Sequence, residues 1–223
     1  MRSRIIIIIV VLLLLCSTSC NVFKRAYEID QTCPAPCWNG LTIGMPFDEA
    51  VTILDEMKEY DYSVGKESDG SFRVLLTGSQ GEITYIDFSD NSVKYIHLLF
   101  DSTMKLPLSE VIKNYGEPEE MVIWIALMPM NRKEAVLCYP EIGAVVRLAG
   151  QRIIDGNLLF EVGELTNVDF VTYDKPGLET SDSYLNYCAQ PLEYSVRQFW
   201  NGYGLYNSCE PNVSPYCEEY SGK

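Results

Sequence analysis

Eight cysteines and a single histidine are the side chains of this 223-residue sequence with the sharpest chemistry. Cys33 and Cys37 form a CxxxC pair, which fits neither the CxxC of redox sites nor a zinc knuckle, and no histidine lies near it. Structural disulfide pairing is therefore expected. With Cys138, Cys188, Cys209 and Cys217 they make a set of six, which allows about 15 connectivities that spacing alone does not resolve. Cys138, inside an apolar strand-like run, reads either as a buried free thiol or as a partner for the C-terminal cysteines. His97 lies in the run 93–100, on the pleat face expected to carry Val93, Tyr95 and Leu99. General-base work would require a nucleophile or carboxylate within reach of that ring. No Gly-x-Ser-x-Gly elbow is present, so a hydrogen-bonded sheet histidine is the expectation. One histidine also excludes multi-histidine metal sites.

The carboxylates are abundant but placed at the polar ends of elements. Asp55, Glu56, Glu59 and Asp61 follow one helix, and Glu117, Glu119 and Glu120 follow another, as solvated faces do. Asp87, Asp90, Asn91 and Asp101 lack the Asp-x-Asp-x-Asp-Gly spacing of a calcium loop. There is no phosphate-cradling glycine loop and no dinucleotide fingerprint. No catalytic residue, metal ligand or cofactor is expected. In the C-terminal region Phe199, Trp200, Tyr203 and Tyr206 stand out as binding aromatics, since such side chains supply wide contact area, although they also fill small stapled cores. A net charge of −14 argues against nucleic acid, whose phosphates need concentrated Lys and Arg.

Residues 1–19 read as a secretory leader. Arg2 and Arg4 precede an unbroken apolar run over 5–15, well short of the ~20 residues needed to span a bilayer. Leu15-Cys16-Ser17-Thr18-Ser19-Cys20 resembles the lipobox of bacterial lipoproteins, with Ser17 where leucine is commonest. That resemblance implies that Cys20 is acylated and becomes the mature N-terminus. Lipidating Cys20 leaves six cysteines to pair, an even number. Multiple acyl chains would anchor the protein stably, whereas one binds only marginally. Removing the leader leaves 15 basic against 31 acidic residues, a net −16.

The elements that must position these groups follow from periodicity. Residues 20–39 read as a polar tether ending in the proline-stiffened Cys33-Pro34-Ala35-Pro36-Cys37. Phe47, Ala50, Val51, Leu54 and Met57 keep helical spacing after Pro46. Leu108, Val111, Ile112 and Tyr115 keep it after Pro107, with Gly116 and Pro118 as stops. Strand-like runs follow each helix, over 72–77, 82–88 and 93–100, then over 121–127, 134–139, 143–148, 158–162 and 168–173. Residues 46–51 match 107–112 at an offset of 61 residues, which also carries Val74-Leu75-Leu76 onto Ala135-Val136-Leu137 and Ile83-Thr84-Tyr85 onto Ala144-Val145-Val146. The expected fold class is therefore α+β, a tandem repeat of one helix plus a three- or four-stranded antiparallel meander. The repeats are set at 40–103 and 104–173, followed by a disulfide-stapled aromatic C-terminal extension, 174–223, with a short helix ending near 198–204.

Gly40-Leu41-Thr42-Ile43-Gly44-Met45 ahead of the first helix, and Tyr115-Gly116-Glu117-Pro118 after the second, are similar to the repeat of β-lactamase inhibitor proteins. They also resemble small lipoproteins of outer-membrane assembly. The resemblance implies a concave sheet with helices on one face and a protein-binding role, and it carries no functional residue over. The functional expectation is a membrane-anchored extracytoplasmic lipoprotein, at the cell membrane or cell surface. It would act as a non-enzymatic protein-binding or envelope-assembly module, with another envelope protein as partner. Simple secretion is the alternative location. Glycan or small-ligand binding through the C-terminal aromatics is the alternative function, and an envelope hydrolase using scattered carboxylates is third.

Overall fold

Alternation of apolar and polar residues dominates the chain after residue 59, and the computed structural model turns it into a single large antiparallel sheet. Residues 33–68, 70–78, 83–100, 106–126, 132–152, 159–177, 188 and 195–207 are described; the leader, Cys20, most of the tether, Cys209 and Cys217 lie outside them. The chain begins with a small hairpin, β1 (Cys37–Trp38) and β2 (Leu41–Thr42), and helix α1 (Phe47–Glu56). Four strands follow: β3 (Tyr60–Lys66), β4 (Phe72–Gly78), β5 (Ile83–Ser89) and β6 (Ser92–Leu99). After β7 (Leu106–Pro107) and helix α2 (Leu108–Tyr115) come β8 (Glu120–Ala126), β9 (Arg132–Tyr139), a 3-10 turn (Pro140–Ile142) and β10 (Ala144–Arg152). The remaining strands are β11 (Leu159–Val162), β12 (Asn167–Tyr173), β13 (Ser195–Phe199) and β14 (Gly204–Asn207). The main sheet runs β13-β8-β9-β10-β12-β6-β5-β4-β3, with β7 added on β12, and β11 and β14 form a separate ribbon.

This overturns the expected tandem helix-plus-meander repeat. The protein is mostly antiparallel β, with helices of only ten and eight residues among the described elements. Strand β12 pairs with β6, so strands of both halves share one ladder. One apolar cluster then runs from Trp38 through Leu54, Ile96, Val111 and Val146 to Tyr206. Helices of two to three turns bury too little area to give each half its own core. Joining the sheets also removes two edges that would otherwise expose unpaired backbone groups. The offset match reflected shared local grammar, a proline-led helix followed by hairpins, rather than two units. The C-terminal stretch expected to be helical is strand β13, whose residues pair with Met121, Val122 and Ile123 of β8.

The sheet has two unequal faces. The first holds Val74, Leu76, Ile86, Ile96, Leu98, Val146, Leu137 and Ile123, covered by Ala50 and Leu54 of α1 and Leu108 and Val111 of α2. Both prolines stand one position before their helices, Pro46 and Pro107 being the N-caps. The second face carries a smaller buried cluster, Val122, Val136, Cys138, Val145 and Cys188. Cys138 pairs with Cys188, and Cys33 pairs with Cys37. The alternatives left open for Cys138 thus close on a disulfide.

Candidate functional site

The second face brings together the histidine and a carboxylate. Cross-strand register aligns Arg73 with Asp87, Asp87 with Tyr95, Tyr85 with His97 and His97 with Thr172. Asp87 accepts hydrogen bonds from Arg73 through Nε (2.6 Å) and Nη2 (3.2 Å). His97 Nε2 lies 3.3 Å from Asp87 Oδ2, and its Nδ1 lies 3.1 Å from Thr172 Oγ1. An ionised Asp87 only accepts, so Nε2 carries a proton; in the neutral ring Nδ1 then accepts from the Thr172 hydroxyl. Burial works to raise the Asp87 carboxyl, but the His97 and Arg73 hydrogen bonds and charges outweigh it and hold the group below the usual carboxylate range. Val93 does not share this face as expected. The β5–β6 register shifts by one residue between Asp87 and Phe88, which turns Val93 into the main core.

Carboxylate, imidazole and hydroxyl stand here in the order of a nucleophile relay with the ring nitrogens exchanged. The Thr172 residue, however, has no exposed surface, and His97 is buried. No acyl or glycosyl group reaches that hydroxyl, so the line of residues cross-braces three strands. The remaining expected carboxylates disperse. Asp55 accepts from the Tyr62 hydroxyl (2.5 Å), Glu120 pairs with Arg197, and Asp90 and Asn91 are the left-handed residues of the β5–β6 turn. Asp101 lies outside the described residues. Among the described residues no group of three or more His, Cys, Asp or Glu side chains is arranged to hold a metal ion.

The C-terminal aromatics divide. Tyr206 is buried; its hydroxyl donates to Gly202 O (2.5 Å) and accepts from Asn201 N (3.0 Å). Trp200 stacks on Tyr206 with centroids 5.9 Å apart, and Tyr203 meets Trp200 edge-on at 6.0 Å. Phe199 and Tyr203 are exposed, and two leucines that the sequence did not single out join them. Leu165 is 83% exposed, Phe199 72%, Leu205 65% and Tyr203 40%. Leu165 is held outward by its turn. Thr166 N–H closes on Gly163 O (3.0 Å), while the Thr166 and Glu164 carbonyls accept the Leu108 and Ser109 N–H groups opening α2. Leu205 faces out because Tyr206 and Phe160, its neighbours in the β11–β14 ladder, face in. That period of two was the available signal.

Carboxylates stand close to Tyr203 and Leu205. Burial pushes the Tyr203 hydroxyl up, and Glu164 and Glu117 push it further. Burial also raises Tyr206 against its Asn201 bond, with Glu117 adding to the rise. For Tyr139, whose hydroxyl donates to Gly116 O (3.2 Å), burial comes first, then Tyr203 and Glu117. Glu117 therefore stands among three tyrosines, and Glu161 pairs across the ladder with Leu205. Tyr203, Leu205 and Leu165 are thus exposed with Glu117, Glu161 and Glu164 close by. Among the described residues no helix is long and apolar enough to cross a membrane. Compared with family models, with curated proteins and with solved structures, the chain matches none.

Proposed function

We propose that the protein is a lipid-anchored extracytoplasmic module that binds another envelope protein through the region of Tyr203, Leu205 and Leu165. The observation that carries this reading is that these three belong to the five large apolar side chains exposed among the described residues, and that the β11–β12 segment ties them together: Glu164, next to Leu165, acts on the Tyr203 hydroxyl, and Glu161 pairs with Leu205. Exposed apolar side chains gathered in one region mark interaction surfaces more often than scattered ones do. The Glu117, Glu161 and Glu164 carboxylates select a partner with Lys or Arg around an apolar anchor. The two disulfides accord with an oxidising compartment, and the leader and Cys20 with export and anchoring. A glycan platform would need an open aromatic face, and Trp200 already has one face stacked on Tyr206.

The test places a benzophenone side chain at Tyr203 in the full chain within its own envelope and irradiates it. One defined protein adduct, lost on Leu205→Asp and absent when the probe stands at exposed Lys175, is the expected result. Equal labelling from both positions, or none from Tyr203, overturns the reading. Anchoring is checked separately: Cys20→Ala should abolish acyl labelling and move the protein to the soluble fraction, and unchanged labelling refutes it.

A further inference from the structure

The opposite end of the sheet carries a different surface. Strand β3 is the terminal strand, paired with β4 from Tyr60↔Gly78 to Lys66↔Phe72, and among the described residues no strand lies on its outer side. Val64 projects from it at 47% exposure. Gly65 is the second oddity. Its backbone has no positive φ, and a Cβ added there would meet only Arg73 O at 3.7 Å, an ordinary contact. The fold itself does not demand glycine at this position, and glycine weakens a strand unless another backbone or ligand comes close.

We infer that β3 pairs antiparallel with β3 of a second copy, about a two-fold axis at Ser63. Ser63 then faces Ser63, Tyr62 faces Val64, Asp61 faces Gly65 and Tyr60 faces Lys66. This register is the one that follows from centring seven residues on themselves, and it keeps each side chain on its own face. On the core side, Val64 packs against Tyr62 of the second copy, whose ring is held by its bond to Asp55. On the other side, Asp61 lies over the bare Gly65 of the second copy. The next residue in that row is Arg73, Gly65's partner in β4, whose guanidinium is held by Asp87 and Glu67. A carboxylate and a guanidinium thus flank the one position that lacks a side chain. The pairing continues the ladder across the axis through Tyr62 and Val64, whose backbone groups gain partners, while the Tyr60 N–H keeps its bond to Met57 O. It uses the sheet edge remote from Tyr203 and is independent of the function proposed above.

The experiment uses the full chain in its own membrane. With Ser63→Cys, the two introduced thiols would stand directly opposite, with Cα atoms about 4.5–5.5 Å apart, inside the range of about 4.4–6.8 Å that a disulfide bridges. With Asp61→Cys, the thiols would be displaced by four residues, about 13 Å, and could not join. The expected result is a reducible dimer for Ser63→Cys only, with the position-63 peptide joined to itself. Adding Val64→Lys should lower the dimer fraction about tenfold by setting cations at the junction. Dimers from both cysteine variants, dimers from neither, or Ser63→Cys joined to a different protein each overturn the inference.

Discussion

Breaking the Cys138–Cys188 bridge tests how the C-terminal strand is held in place. The two half-cystines are 50 residues apart in sequence, and both are buried beside Val122, Val136 and Val145. Closing a loop of that length restricts the unfolded chain by about 4 kcal/mol on the chain-entropy model. The Cys33–Cys37 bridge closes only four residues and is worth about 2 kcal/mol on the same scale. Cys188→Ala should therefore destabilise by about 2 kcal/mol more than Cys37→Ala, roughly a thirtyfold difference in the unfolding equilibrium. Guanidinium unfolding under non-reducing conditions, extrapolated linearly, measures both. The loss should also be uneven in space. Position 188 precedes β13, so amide exchange along the β13–β8 ladder should quicken before that of β4–β5 does. Equal losses for the two variants, or unchanged exchange in β13, would refute the reasoning.

Three further outcomes follow from single sites. Gly143 has φ +62, and a Cβ there would lie 2.2 Å from Asp174 O and 2.9 Å from Pro176 N, so Gly143→Ala should cost about 3 kcal/mol. A loss under about 1 kcal/mol in denaturant unfolding would contradict that geometry. The depressed Asp87 carboxyl contributes stability above its unfolded pKa and loses it as pH falls through the lower folded one. Asp87→Asn should thus lower the unfolding midpoint at neutral pH and flatten its decline below about pH 4, and parallel pH profiles for the two proteins would exclude the role. Burial, the dominant cause, pushes Tyr173 up to about 12, and it raises Tyr115 and Tyr139 beyond the ordinary range. The stability these phenols contribute is complete below the unfolded tyrosine pKa and is lost as pH rises through the folded values. Tyrosinate absorbance should accordingly show them silent until unfolding, and smooth titration of all the tyrosines near pH 10 would disprove their burial.

Strands β4–β6 and β8–β12 and both helices were legible because their cores are periodic. Val74, Leu76, Ile86 and Ile96 alternate strictly, and Ala50 with Leu54 keeps a helical stripe. Strand β3 was not legible. Its Tyr-Asp-Tyr-Ser-Val-Gly-Lys alternates, but it follows a run of carboxylates that reads as solvated surface, and an edge strand needs little apolar content. The single sheet was hidden for a different reason: the β6–β12 pairing joins residues about 75 positions apart, as His97 and Thr172 are, and nothing local encodes it. The same holds for the site. Phe199 and Tyr203 could be named from residue type, whereas Leu165 and Leu205 become surface only through the turn at α2 and the inward Tyr206.

The chain's acidity bears differently on the two proposed contacts. A net −14 opposes self-association across any broad face, because like charges would be brought together over a wide area. An edge pairing avoids most of that repulsion. Its attraction comes from backbone groups that carry no net charge, and its nearest acid, Asp61, faces the side-chain-free Gly65 rather than another carboxylate. The β13–β14 end has the opposite balance. Two copies docking there would set Glu117, Glu161 and Glu164 against the same three carboxylates, beside tyrosines whose hydroxyls already register that field. A different, cation-bearing protein removes the conflict. Val64 stands on the terminal strand β3 of the main sheet and Leu205 on the separate β11–β14 ribbon. Val64→Lys and Leu205→Asp therefore act on separate contacts, and their effects should add.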